Sequence, residues 1–272
     1  MTAHPQESTG RETLGESTEA SSSPELPGKA YPSASDPDFR RESLGQDTPV
    51  EGLGQSEAIQ PLAPAFILRI GLVVEGGLVV AAGAASWLIG QPVWHKIHPN
   101  LWDALLGAVI TLPLLAGLWW GVNYPWGPWR GLVRVLENFV IPIFARCRVW
   151  HLGMISLLAG LGEEMLFRGL LQDGLADWLN HGFGLGETAG LWLAVGLAST
   201  LFGLLHWISP FYALLAGLIG GYLGWWRIQS GNLLVPIVAH GLYDFAALVY
   251  LTKIYPRWPR ERRFTNPKDP RT

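Results

Sequence analysis

The stretch Leu161-Gly162-Glu163-Glu164-Met165-Leu166-Phe167-Arg168 decides how this chain is read. Residues 152–162, which lead into it, carry no charge. Two adjacent carboxylates therefore arise in the middle of an apolar helix. One intramembrane carboxylate costs roughly 2.5–3.5 kcal/mol on insertion scales, so two of them, followed by an arginine, need partners or water. Neighbours on a helix project about 100° apart, whereas residues four apart share a face. Glu164 can therefore pair with Arg168, which leaves Glu163 as a free carboxylate aimed elsewhere.

The surrounding chain has the composition of a membrane protein. Of its 272 residues, 15% are charged, well below the usual share of about 25%. The mean hydropathy is +0.22 and there are 14 tryptophans. The expected surroundings are a lipid bilayer, and no feature points to nucleic acid. Charge is divided unevenly: residues 1–64 carry a net −7 and residues 65–272 a net +4. The first 64 residues are rich in Ser, Pro, Gly, Glu and Asp and cannot bury enough apolar surface to offset their ordering entropy. They are expected to form a disordered acidic tail. Residues 1–60 lack the basic start and apolar run of a signal peptide, so the first apolar helix is expected to act as the insertion signal. The single cysteine, Cys147, excludes an intrachain disulfide and a cysteine-built zinc site.

Six stretches reach the length of about 20 apolar residues needed to cross a bilayer: 66–90, 103–122, 150–175, 188–207, 210–227 and 232–252. Tryptophans mark their ends, as interfacial rings do: Trp87, Trp102, Trp119, Trp120, Trp150, Trp178, Trp192, Trp207, Trp225 and Trp226. Between the second and third spans, Leu132, Leu136, Phe139, Val140 and Ile143 fall at helical spacing, with Arg130, Arg134 and Glu137 on the other side. This predicts an amphipathic helix in the interface, broken near Pro142, with a short re-entrant span as the alternative. The predicted fold is thus an all-α, polytopic bundle of six spans over 65–252, with a basic C-terminal tail at 253–272. Arginines crowd the 123–149 loop, and lysines and arginines crowd the tail, whereas the 172–187 loop has only Asp173, Asp177 and Glu187. The bias of basic residues predicts that both termini are cytoplasmic.

The other ionisable groups of the spans repeat the spacing of four. His206 follows Phe202, and Asp244 follows His240. Glu163 with two imidazoles has the parts needed to bind and deprotonate a water, and Asp244 can fix the tautomer of His240. Each histidine taken alone is equally a helix-to-helix hydrogen-bond donor. Two glutamates, two histidines and an aspartate together are costly, however, where apolar residues would serve packing. Glu75 in the first span reads as a cavity-facing or shallow group near Arg69.

Glu163-Glu164-x-x-x-Arg168, Phe202-x-x-x-His206 and His240-x-x-x-Asp244 together resemble the three motifs of the CPBP intramembrane proteases. This family comprises the CAAX prenyl endopeptidases and the bacteriocin-processing or self-immunity (ABI) proteins. The resemblance covers about 150–250. It implies an all-helical membrane endopeptidase in which Glu163 and His206 activate a water, and His240 with the residue at 244 steadies the tetrahedral intermediate. Glu164, Arg168 and Phe202 would support them. The implied substrate is a membrane-associated peptide or protein. The family pattern allows Asn or Asp at its last position; an ionised Asp244 would repel an oxyanion, so orienting His240, binding a metal or acting as a protonated carboxyl are its readings. A divalent metal, zinc foremost, would draw on Glu163, His206, His240 and Asp244 in an open three-ligand site, although the order is not H-E-x-x-H. Two other classes stay open: a catalytically silent scaffold or immunity protein, and a proton- or ion-coupled transporter.

One expectation conflicts with the six-span layout. His206 lies near the end of its span, while Glu163 lies about 13 residues past Trp150, roughly 20 Å deep at 1.5 Å per residue. The two meet only if the third helix starts below the membrane plane or Trp207–Pro210 runs inside the bilayer.

Overall fold

The structure is a computed structural model and describes residues 63–255. The acidic tail assigned to 1–64 and the basic tail assigned to 253–272 lie almost wholly outside these residues. Among the described residues every regular element is helical. Seven helices follow one another: α1 Pro64–Leu88, α2 Leu101–Asn123, α3 Pro128–Phe144, α4 Val149–Phe183, α5 Glu187–Leu205, α6 Pro210–Ser230 and α7 Leu234–Ile254.

The chain is an integral membrane protein, and among the described residues four or five helices, not the six expected, meet the length and hydropathy needed to cross a bilayer. Four helices, α1, α2, α5 and α7, are long and apolar enough to cross a bilayer. A fifth is gained if α3 and α4, which meet at 111°, count as one broken span. The apolar windows of the four are only 11–39% buried, so their hydrophobic surface faces outward, as lipid requires and water forbids. Trp87, Trp102, Trp120, Trp150, Trp178, Trp192 and Trp207 are all exposed. Helix α6 is long enough, but Gly217, Gly220, Gly221, Gly224, Trp225, Trp226 and Arg227 dilute its hydropathy. Its small residues serve packing instead. A Cβ on Gly203 of α5 would stand 3.0 Å from Gly217 Cα, the close approach that glycines permit between membrane helices.

Two further differences concern breaks. Pro142 does not end the amphipathic helix. A π-helical turn at Leu136–Val140 runs directly into Ile141–Phe144, since a wider turn absorbs the missing proline N–H. Leu132, Val133 and Leu136 of α3 are buried, whereas Phe139 and Ile143 face outward. The stretch 172–187 is not a loop either. Helix α4 runs on to Phe183 through a π-helical turn at Met165–Gln172, and Asp173 is tied to Lys96 (3.0 Å) and Arg227 (2.9 Å).

Helix α4 is the axis of the fold. Its first half, up to Glu164, packs on α7 and α1; its second half packs on α5. The crossing with α7 is tight, because a Cβ on Gly160 would lie 2.7 Å from Gly241 N and 2.9 Å from both Gly241 Cα and Ile237 O. All three are backbone atoms of α7 and cannot rotate away. Gly160→Ala is therefore expected to push α7 off α4 and destabilise the protein by about 1–3 kcal/mol, measured as thermal unfolding in detergent. A variant melting like the wild type would refute this packing.

Candidate active site

The halfway point of α4 places the acidic pair where the two halves of the bundle meet. Glu164 turns inward and is fully buried. Its Oε1 accepts from Arg168 Nη1 at 2.6 Å, one turn along the helix. Arg168 is itself buried, donates from Nη2 to the Gly220 carbonyl of α6 at 2.9 Å and lies 4.7 Å over the Phe202 ring. The same Glu164 Oε1 also takes His240 Nδ1 at 2.8 Å. A carboxylate only accepts, so Nδ1 of His240 carries a proton and the orientation of the ring is fixed from α4. Asp244, for which the sequence offers orienting His240 through one ring nitrogen as one reading, faces the other nitrogen, with Oδ2 3.5 Å from Nε2.

His206 is held in the same manner by its own helix end. Its Nδ1 lies 2.8 Å from the Phe202 carbonyl, an acceptor, so Nδ1 donates. The ring stacks on Phe202 at 4.4 Å between centroids, 29° from parallel. Phe202 thus carries His206 on one side and the Arg168 guanidinium on another, with Phe167 edge-on at 5.0 Å. In the neutral imidazole this leaves the lone pair on Nε2, directed at Glu163.

Glu163 is where these elements converge. Its Oε2 lies 3.7 Å from His206 Nε2 and 3.9 Å from His240 Nε2. That oxygen is closed to solvent and has no hydrogen-bond partner. Both separations exceed a direct hydrogen bond but suit a bridging water, which seeks two to four polar partners. Access comes from the side of His206 and Asp244, whose side chains are 31% and 32% exposed, against 13% for Glu163. The conflict of depths resolves through the length of α4. Helix α5 lies along its second half, so the end of α5 at His206 falls beside the midpoint of α4.

Glu75 of α1, which the sequence reads as a cavity-facing or shallow group near Arg69, is within electrostatic reach of Glu163, Asp244, His240 and His206; being six residues from Arg69, it projects to another face of α1. The sequence reading does not single out two tyrosines. Tyr212 at the start of α6 and Tyr243 in α7 are within reach of Asp244. Tyr243 stands three residues after His240, a spacing that places it on the same face. As for a metal, among the described residues no group of three or more His, Cys, Asp or Glu side chains is arranged to hold one.

Comparison with known proteins agrees with the motif reading. Residues 145–246 match the family described as Type II CAAX prenyl endopeptidase Rce1-like. The uncharacterized protein YpbD of Bacillus subtilis (strain 168) is 32% identical over 105 residues, 38% of this chain and 46% of that protein. The chain thus spans about half the length of the curated relative it matches. No solved structure matches. All three motifs lie inside the matched segment, so the family match and the motif reading point to the same part of the chain.

Proposed function

We propose that the protein is an intramembrane endopeptidase that hydrolyses peptide bonds of membrane-associated polypeptides with a water activated by Glu163 and His206. The observation that carries this reading is the meeting of an unpartnered, buried Glu163 Oε2 with two imidazole Nε2 atoms at 3.7 and 3.9 Å. A neutral His206 Nε2 and a carboxylate are both acceptors. A water held between them donates one hydrogen to each and turns its oxygen lone pair toward a substrate carbonyl. Glu163 takes the proton as the oxygen–carbon bond forms. Charge gathers on the former carbonyl oxygen, and His240 Nε2, when protonated, donates to it. Glu164, accepting from Nδ1, supports the positive charge of that imidazolium. The proton on Glu163 then passes to the leaving nitrogen as the carbon–nitrogen bond breaks.

The orientation with both termini cytoplasmic is part of the same reading. Arg130 and Arg134 are exposed on α3. Lys253, at the end of α7, donates to the carbonyls of Ala145 and Cys147 at 2.7 Å each. The basic groups preceding α4 and those ending α7 therefore share one end of the bundle.

The reading is tested with purified protein in liposomes and a membrane-anchored peptide of quenched fluorescence. His206→Gln is expected to slow cleavage by about 10²–10⁴-fold. Cleavage at equal rates, or none by the wild type against a panel of anchored peptides, counts against it.

A further inference from the structure

This inference rests on the hydrolytic reading and concerns a residue outside the matched segment. Glu75 is the single acidic residue of α1, whose other charged residue, Arg69, lies six positions earlier on another face. Helix α1 presses on α4 at this point: a Cβ on Gly162 would stand 2.9 Å from the Glu75 carbonyl oxygen and 3.1 Å from Val79 N. The backbone carrying Glu75 therefore lies against the residue that precedes Glu163. Glu75 Oε2 is closed to solvent and lacks a hydrogen-bond partner, as does Glu163 Oε2. The titratable groups within electrostatic reach of Glu75 are Glu163 of α4, His240 and Asp244 of α7, and His206 at the end of α5. An acid without a cationic partner in an apolar helix is costly, and such a group marks function in a membrane protein.

We propose that Glu75 is a positioning residue that acts through Glu163. A water hydrogen-bonded between the two carboxyl groups holds Glu163 toward the histidines. The proton taken from the attacking water is then shared by the carboxyl pair until the leaving nitrogen collects it. The hydrolysis balances as before: one O–H and one C–N bond break, and one C–O and one N–H bond form. Glu75 is unchanged at the end.

Two measurements on the full chain in liposomes decide it. Glu75→Gln is expected to lower kcat on the order of a hundredfold, to leave KM unchanged and to alter the pH profile of kcat. Glu75→Asp is expected to recover part of the rate. A structural role would lower thermal stability without touching the pH profile. Glu75→Gln that cleaves with the wild-type kcat and pH profile, while Glu163→Gln is inactive, overturns this inference and leaves the hydrolytic reading standing. The second measurement needs no activity. The infrared carboxyl band assigned to Glu75 by its loss in Glu75→Gln, or its displacement in Glu75→Asp, is expected to shift in Glu163→Gln. An unmoved band overturns the proposal even if the protein hydrolyses nothing.

Discussion

Glu163→Gln is expected to abolish cleavage while the protein is made, inserted and melts at least as high as the wild type. The loss is expected at about 10³-fold or more, near the upper part of the range for a positioned general base. Glutamine keeps the shape of the side chain but cannot take a proton from water. The fold has no stake in the charge, because Glu163 Oε2 has no hydrogen-bond partner and no arginine or lysine beside it in an ion pair. Removing a buried charge that lacks a direct partner relieves a desolvation cost. Rate and stability should thus separate in this variant. The measurement is cleavage of an anchored peptide in liposomes, paired with thermal unfolding in detergent. A scaffold or immunity protein would keep its phenotype on this substitution. Unchanged cleavage would falsify the assignment of Glu163.

Arg168→Leu is expected to give the largest loss of stability, about 3–5 kcal/mol, because it strands a buried carboxylate. Arg168 and Glu164 are 1% and 0% exposed, so neither can turn to water when its partner is gone. The guanidinium also leaves the Gly220 carbonyl and the face of Phe202, loosening α6 and the ring on which His206 stacks. The double variant Arg168→Leu with Glu164→Gln removes both charges and is expected to regain part of the stability. It should remain inactive, because His240 Nδ1 then loses its charged acceptor. Chemical or thermal unfolding of both variants checks the first statement and the liposome assay the second. If the double variant were as unstable as the single one, the pair would not be the source of the loss.

The contrast between these variants shows what a pair of adjacent glutamates accomplishes. The 100° between neighbours on a helix sends one carboxylate into a closed ionic network and leaves the other unpaired. The closed one has a wider role than pairing with Arg168: it fixes His240 across the α4–α7 crossing, which depends on Gly160 and Gly241 meeting backbone to backbone.

By itself, the sequence determined the elements and the local partnerships. Apolar runs ending in tryptophan imply membrane helices, and the spacing of four is enough to join Glu164 to Arg168, because that contact lies within one helix. The same spacing places His206 next to Phe202, which it both stacks on and donates to. Periodicity cannot show how far a helix continues past its apolar stretch. Met165–Gln172 widens into a π-helical turn and α4 runs on to Phe183, and that length brings His206 level with Glu163. Only the tertiary structure decided that Glu164 holds Nδ1 of His240 while Asp244 faces Nε2, that the α1 backbone carrying Glu75 lies against Gly162 beside Glu163, and that α6 is a glycine-lined packing helix whose Gly220 carbonyl receives Arg168. Each of these depends on a crossing between helices far apart in the chain. Its geometry is set by which small residues let two backbones touch, and no single helix contains that information.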